Sequence, residues 1–308
     1  MNEQINGLEL SRIIGEPRDP RRPYSHLIST IADGETAEPN EYVYEFNVNL
    51  ETDKIITTIA SGVTSVNVSP LTPTLLTFTN LASPEYYARV TDLVDAKEAV
   101  LARHRLNIMR SMNTEENYQA IQLLDAAAIA RGNLNDLRSG EVSYNYQHLI
   151  DQIDQIIDYS QDYVLVAGSQ IDKDIKLWNW VDNKNQDTIE AFNNLGVEVV
   201  RVNQTLTRNN VAVSGGILAS TVAYLVGVLT EAPGKPLTMV RKKVSNMEKL
   251  PGALIEQTAN AAERWIFISQ SPTVISATRE LAYGLVGYQN YVLYTKNTYA
   301  ISKFTRTV

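Results

Sequence analysis

Proline is distributed very unevenly along this chain of 308 residues, and its placement constrains the fold more than any other sequence feature. Four of the eleven prolines lie within residues 1–41, and none lies between residues 85 and 232. Proline interrupts helices and central strands because it lacks a backbone N–H and its ring clashes with the preceding turn. The sequence therefore predicts an extended arm first and long stretches of regular structure in the middle.

Three arginines stand among the prolines of the predicted arm: Arg18, Arg21 and Arg22. One interpretation is a solvated loop. The other is an arm that lies along a neighbouring subunit, because extended proline-rich chain buries little surface against itself. Under the second interpretation the three arginines are candidates for inter-subunit contacts.

A long β-hairpin is predicted after the arm. Residues 42–50 alternate between apolar and polar side chains, with Tyr44 and Phe46 on the apolar face. Residues 51–54 are polar and read as the turn, and the β-branched residues that follow to position 68 read as the second strand. Such a hairpin is marginal alone and needs a surface to lie on. Its candidate contact residues are Tyr44, Phe46, Lys54 and Ile56.

Two consecutive helices are predicted next. Residues 83–85 (Ser-Pro-Glu) have the composition of a helix start, and helical apolar spacing continues to about Met112. Asn113, with Glu116 three residues later, resembles a capping box that would open a second helix. This second helix is expected to end near Gly132.

The middle of the chain reads as alternating helices and strands. The segments are a helix over 145–160, a strand over 163–168, a helix from Ser169 and a strand over 197–202. Strand–helix–strand order indicates an α/β or α+β domain. Residues 211–229 carry no charge and match a membrane helix in hydropathy, but their glycines and the absence of flanking basic clusters favour buried core segments.

The end of the chain is predicted as one apolar segment and two strands. Residues 280–289 read as a helix-like stretch, and strands are expected over 291–295 and 299–305 with a short turn between them.

The charges form two blocks of opposite sign. The net charge of −8, from 27 basic and 35 acidic residues, argues against tight nucleic-acid binding by the whole surface. Residues 141–162 contain only acidic charges, whereas residues 232–252 are mainly basic. Each block is either a solvated face or one of two complementary patches that meet between subunits. The candidate contacts are Asp151, Asp154, Asp158, Arg241, Lys242 and Lys243.

Few residues indicate chemistry. The absence of cysteine excludes disulfides, thiolate zinc sites, iron–sulfur clusters and cysteine nucleophiles. His104 lies between two arginines and is predicted to be a surface residue, while Asp172 and Asp174 read as charges at a helix start. No cofactor and no metal are expected. The first residues lack a secretory signal pattern, so a reducing cytoplasm is the expected site of synthesis.

The order of these parts resembles the Hong Kong 97-type major capsid protein of tailed bacteriophages. The resemblance rests on YVYEFNVNL and KIITTIASGVTSVNV as the extended loop, PEYYARVTDLVDAKEAVLARHRLNIM as the spine helix, and the closing TRELAYGLVGYQNYVLYTKNTYAISKF. It covers nearly the whole chain. Many members have Pro-x-Ala in the last turn, where this chain has Asn297-Thr298-Tyr299-Ala300.

The resemblance implies an α+β Hong Kong 97-like capsid fold with an N-terminal arm, an extended-loop hairpin, a long spine helix, a peripheral domain and an axial domain. The implied segments are the arm over 1–41, the extended loop over 42–82, the spine helix and first part of the peripheral domain over 83–140, the axial domain over 141–275 and the closing peripheral strands over 276–308.

The same resemblance implies a structural, non-enzymatic subunit that self-assembles as hexamers and pentamers into an icosahedral head shell. Its further partners would be scaffold, portal and decoration proteins and packaged double-stranded DNA in weak, non-specific contact, with no membrane. The protein would be assembled in the host cytoplasm and end in the virion. Some members crosslink subunits through a hairpin lysine, the position of Lys54, but a shell without covalent links is expected here.

Three alternatives remain open from the sequence. An encapsulin-type compartment shares the fold but packages enzymes. A phage tail or baseplate protein would form tubes or rings. An enzyme is also possible, because carboxylates alone can catalyse reactions and sequence does not show which of them meet in space.

Overall fold

The fold is taken from a computed structural model of the chain. It describes residues 27–38, 43–48, 72–181, 192, 195–202, 207–208, 211–212, 216–229, 234–243, 254–257, 264–268, 273–275 and 279–306. Within these ranges the helices are α1 (Leu27–Ile31), α2 (Val90–Arg131), α3 (Tyr146–Ile156) and α4 (Ser169–Val181), with a 3₁₀ turn at Ile157–Tyr159. They pack against two main sheets.

The larger sheet is built around one long strand. Its eight strands are β1 (Ala32–Ala37), β4 (Thr79–Ala82), β5 (Tyr86–Arg89), β12 (Leu237–Lys242), β13 (Leu254–Gln257), β14 (Arg264–Ile268), β15 (Thr273–Ile275) and β16 (Glu280–Thr295). The main strand order is β1-β12-β16-β14-β13, and β4, β5 and β15 also pair with β16.

The second sheet has five strands in the order β6-β17-β11-β7-β8. They are β6 (Leu134–Asp136), β7 (Asp162–Ala167), β8 (Val197–Arg201), β11 (Val222–Val228) and β17 (Ile301–Thr305). Helices α3 and α4 cover one face, and the C-terminal half of α2 covers the other. Two small antiparallel pairs complete the described strands: β2 (Val43–Val48) with β3 (Thr72–Thr77), and β9 (Thr207–Arg208) with β10 (Val211–Ala212).

Helix α2 corrects the prediction of two helices. It runs for 42 residues without a break, or about 63 Å at about 1.5 Å per residue. Every fourth residue from His104 to Ala128 is buried, so the stripe that faces the core passes straight through the predicted cap at Asn113. In the sequence, the charged Glu116 interrupts the apolar stripe, so the continuity of the helix was not recognised. The predicted end is confirmed, because Gly132 adopts a φ of 71° and closes the helix.

The predicted helix start at residues 83–85 is also wrong. Ser83 instead joins the larger sheet, where its Oγ accepts a hydrogen bond from the Gly287 N–H at 2.9 Å. Residues 86–89 then form β5, which pairs with β16. The aromatic side chains of Tyr86 and Tyr87 suit a pleated surface, and the helix therefore begins only at Val90.

The closing segment corrects a second prediction. Residues 280–289 were predicted to be helix-like, but they form the first part of the 16-residue strand β16. Gly284 and Gly287 weaken a helix and suit close packing. A Cβ on Gly287 would lie 2.3 Å from Ile108 Cγ2, so this glycine lets α2 lie directly on the strand.

Strand β2 pairs antiparallel with β3, which begins after the predicted second strand of the hairpin. Val43 pairs with Thr77 and Val48 with Thr72. Pro73 lies opposite Asn47, and among the described residues these two strands form a separate pair. The predicted turn and second strand fall in residues 49–71, outside the described ranges.

Part of the predicted arm belongs to the core. Leu27, Ile28 and Ile31 of α1 are buried, and β1 pairs in parallel with β12. Residues 1–26 and 39–41 of the predicted arm lie outside the described part. The apolar side chains of α1 bury nonpolar surface in the core. The high proline content of residues 1–41 did not indicate this packing.

The uncharged run contributes the central strand β11, with five consecutive buried residues, as expected for a core segment. Among the helices of the described residues, none combines the length and apolar character needed to cross a bilayer. The predicted strands and crossover helix over 162–201 are confirmed, with β7 and β8 parallel and α4 between them. The domain boundaries stay predictions, and sheet membership crosses them, since β12 joins the larger sheet and β17 the smaller one.

Candidate assembly surfaces

A buried ion pair holds α2 against the larger sheet. Glu116 has no exposed surface and accepts a hydrogen bond from Arg241 Nη2 of β12 at 3.2 Å. Its second carboxylate oxygen accepts a hydrogen bond from Gln289 Nε2 of β16 at 2.8 Å. The carboxylate thus ties the helix to two adjacent strands. Arg241, a predicted inter-subunit residue, makes this contact within the chain and is only 19% exposed.

The same helix is tied to the smaller sheet farther along. Asp125 accepts hydrogen bonds from the hydroxyl of Tyr224 at 2.8 Å and from Lys303 Nζ at 2.6 Å. Burial and this carboxylate raise the pKa of Tyr224, so the phenol stays protonated and donates its proton. Helix α2 therefore fixes both sheets relative to each other. Sequence reasoning missed these pairs, because strands distant in the chain supply the partners.

The other two predicted basic contacts also have partners within the chain. Lys242 Nζ lies 5.6 Å from the ring centroid of Phe78, and Lys243 forms an ion pair with Glu38. The basic block of residues 232–252 is therefore largely engaged where the structure describes it. A role of these residues between subunits stays a prediction.

The predicted acidic residues lie on α3 and the turn that follows. Asp151 is bonded to Arg138 at 2.5 Å, whereas Asp154 and Asp158 are exposed and have no ion-pair partner among the described residues. Asp162, at the start of β7, is also exposed. Burial, with the charges of Asp154 and Asp162, raises the pKa of Tyr163, which places both carboxylates near one phenol. We name Asp154, Asp158 and Asp162 the acidic end of the five-stranded sheet.

Two tyrosines lie beside this acidic end. The rings of Tyr159 and Tyr299 stack with their centroids 4.9 Å apart, and each side chain keeps 40% of its surface exposed. Arg131 lies 3.5 Å from the Tyr299 centroid and donates a hydrogen bond to Thr298. This arrangement holds the aromatic pair in place at the surface.

A group of cations lies at the opposite end of the same sheet. Lys176 Nζ and Arg201 Nη1 lie 2.9 and 3.2 Å from the same carboxylate oxygen of Asp172. Lys173 is exposed and has no ion-pair partner within the described ranges. We name Lys173, Lys176 and Arg201 the basic end. Asp172 was predicted only as a helix-start charge, and it also joins α4 to β8.

The remaining predicted contact residues lie on β2 or outside the described residues. Tyr44 and Phe46 lie on β2, opposite Leu76 and Thr74. Arg18, Arg21, Arg22, Lys54 and Ile56 lie outside the described residues. Within the described ranges, no group of three or more histidine, aspartate and glutamate side chains is placed to hold a metal ion.

His104 corrects a prediction. It is 8% exposed and belongs to the buried stripe of α2, with its ring centroid 6.0 Å from that of Tyr86. Burial, with the charge of Arg103, lowers its pKa from the ordinary value of 6.5. The stripe at every fourth residue was the signal that could have identified it.

We therefore expect the protein to lose stability in acid through His104. Because the pKa of the folded state lies below that of the unfolded chain, the unfolded chain binds more protons as the pH falls below 6.5. Urea unfolding of the dissociated subunit at pH 7.5 and 5.5 would show a lower midpoint in acid, and His104→Gln would reduce that shift. An equal shift in both proteins would contradict the prediction.

Comparison with solved structures shows which known fold this architecture resembles. No protein-family model matches the chain, and no curated protein matches its sequence. Among solved structures, it is similar to a phage-related protein from Bordetella bronchiseptica RB50, with a TM-score of 0.57 over 96% of both chains at 11% identity. It is also similar to a structure of Microbacterium phage Oxtober96, with a TM-score of 0.54 over 93% of both chains at 10% identity.

The chain has the Hong Kong 97-type capsid fold. The SrpI encapsulin complex from Synechococcus elongatus PCC 7942 is a further similar structure, with a TM-score of 0.50 and 12% identity over 92% of this chain and 87% of that one. Identities this low establish the shared fold.

Proposed function

We propose that the chain is a phage major capsid protein, a non-enzymatic subunit that assembles into the icosahedral head shell around double-stranded DNA. One observation carries the proposal: the similarity to two phage-related structures extends over at least 93% of each chain. A fold shared over nearly the full length of this chain supports assembly as its function. The relevant sites are then contact surfaces, with further copies of the chain as the main partner.

The charge of the chain suits a container for DNA. The net charge of −8 disfavours tight binding of phosphates by the surface as a whole. An inner wall that held phosphates strongly would hinder both packing and release of the genome. In this proposal the DNA contact is weak and non-specific, the particle assembles in the host cytoplasm, and the mature protein resides in the virion with portal, scaffold and decoration proteins.

Electron microscopy with light scattering on the purified chain tests the proposal. The expected result is closed particles with icosahedral symmetry. Open tubes or rings would contradict it and favour a tail or baseplate protein, and a chain that stays monomeric even when it is produced together with its scaffold protein would contradict any shell function.

The encapsulin alternative requires a second measurement, since it predicts the same particles. Shells would be purified from the cells in which they form naturally and treated with nuclease to remove external DNA. They would then be opened and their contents analysed. Protected double-stranded DNA supports the phage head, whereas a protein cargo without DNA would overturn the head in favour of a compartment.

A further inference from the structure

The five-stranded sheet has opposite charges at its two ends. Asp162 begins β7, and Arg201, which is paired with Ala167, ends the parallel strand β8. Five residues of strand separate the two positions, or about 16 Å along the sheet at about 3.3 Å per residue. The 3₁₀ turn places Asp158 beside the start of β7, and Lys173 lies in the first turns of α4, just after the end of β7.

We propose that the acidic end of one copy binds the basic end of a second copy, head to tail, within a closed ring. This contact rests on the proposed shell function and identifies the surfaces that would join neighbours. A contact between unlike surfaces generates rings when the rotation closes, so every copy uses both ends.

The acidic end is suited to a cationic partner for two reasons. It holds three exposed aspartates, of which Asp154 and Asp158 have no ion-pair partner in the described part of the chain. Beside them, Tyr159 stacks one ring face on Tyr299 and keeps 40% of its surface exposed, so its other face can accept lysine or arginine in a cation–π contact. Tyrosine and arginine are also the residue types that dominate binding at protein interfaces.

The basic end is the complementary surface that the described residues offer. Lys176 and Arg201 contact one carboxylate, that of Asp172, and the exposed Lys173 adds a further positive charge beside them on α4. Arg241, Lys242 and Lys243 are less suitable, because each already has a partner within its own chain. The two ends of one copy cannot meet, since the same sheet holds them apart. The partner is therefore a second copy.

Charge reversal at each end tests the contact. The acidic-end variant is Asp154→Lys with Asp158→Lys, and the basic-end variant is Lys173→Glu with Lys176→Glu. At about 0.1 M NaCl we expect either variant to lower the assembled fraction, measured by sedimentation, by about tenfold, because like charges then face each other. The variant that carries all four changes restores opposite charges and should recover most of the assembly.

The matched control is Glu198→Lys. Glu198 is exposed on β8 and lies on the opposite face of the sheet from Arg201, so its reversal should leave assembly unchanged. Circular dichroism and thermal unfolding check that each variant folds. If a reversed variant does not fold, Asp154→Asn with Asp158→Asn replaces it, with a smaller loss of assembly expected.

A carbodiimide crosslinker locates the contact directly, since it joins carboxylates to amines without a spacer. Wild-type chains labelled with ¹⁴N and ¹⁵N would be co-assembled and crosslinked. Mass spectrometry is expected to find mixed-isotope links between Asp154 or Asp158 and Lys173 or Lys176.

The outcomes separate this contact from the shell function. Wild-type particles that lack these links, together with normal assembly of both single-end variants, would overturn the contact and leave the shell standing. The arm is the other candidate partner of the acidic end. If the basic-end variant assembles normally but replacement of Arg18, Arg21 and Arg22 abolishes assembly, the acidic end binds the arm of a neighbouring copy instead. A wild-type chain that remains monomeric even in the presence of its scaffold protein would overturn both proposals.

Discussion

Replacing Arg241 with methionine should lower the free energy of unfolding by about 3 kcal/mol, because it leaves the buried Glu116 carboxylate without its cation. Gln289 Nε2 would be the hydrogen-bond donor that remains from this contact. A buried carboxylate that loses its cation either takes up a proton or draws in water, and both processes cost free energy. Methionine keeps much of the volume of the arginine stem, so the loss reports charge more than packing. Urea unfolding of the dissociated subunit measures it.

Two further variants show whether the ion pair is the cause. Lys243→Met removes the cation of an exposed pair with Glu38 and should change stability by less than about 0.5 kcal/mol. Glu116→Gln combined with Arg241→Met removes both charges and should be more stable than Arg241→Met alone. If Arg241→Met were no more destabilising than Lys243→Met, Glu116 would not depend on its ion pair.

Gly168→Ala should cost about 3 kcal/mol, because the site has no space for a methyl group. A Cβ on Gly168 would lie 2.3 Å from the carbonyl oxygen of Ala219 and 2.7 Å from that of Ser220. Both obstacles are backbone atoms and cannot rotate away. The Gly168 N–H donates to the Val222 carbonyl at 3.0 Å, so a shift of this loop would also disturb the start of β11.

Gly34→Ala is the matched control for this substitution. Gly34 lies in β1 and has no atom within 4 Å of a built Cβ, so alanine there should change stability by less than about 1 kcal/mol. Hydrogen exchange gives a local readout: the amides of Gln170 and Val222 should lose protection in Gly168→Ala and keep it in Gly34→Ala. Equal free energies of unfolding for the two variants would contradict the prediction. They would show that the loop at residues 219–220 moves to make room for the methyl group without loss of stability.

Sequence reasoning identified one of the two candidate surfaces, the acidic end, but not the basic end. Asp154 and Asp158 were identified because a block of like charge is visible along the chain. Their proposed partners were not, because Lys176 and Arg201 meet at Asp172 only through the parallel pairing of β7 and β8. The basic residues that the sequence did identify instead contact Glu116, Phe78 and Glu38 of the same chain.

Local patterns determined the elements whose signals lie within a few residues. The proline-free middle indicated helices, Gly132 ended α2 at a left-handed position that glycine adopts at no steric cost, and the apolar runs flanking α4 indicated β7 and β8. The order of these parts was sufficient to predict the capsid fold. Each of these signals is read from neighbours in sequence, so no distant partner was needed.

Tertiary structure decided the elements whose signals depend on distant partners. Residues 280–289 became strand because five other strands and α2 pack along β16, and α2 continued past Asn113 because Arg241 and Gln289 satisfy a buried Glu116. The free energy of burying a polar group depends on the partner it finds, and that partner lies far away in the chain. The sequence alone therefore determined where the chain turns and which spans are regular, while long-range packing decided which of them pair and which polar residues lie inside.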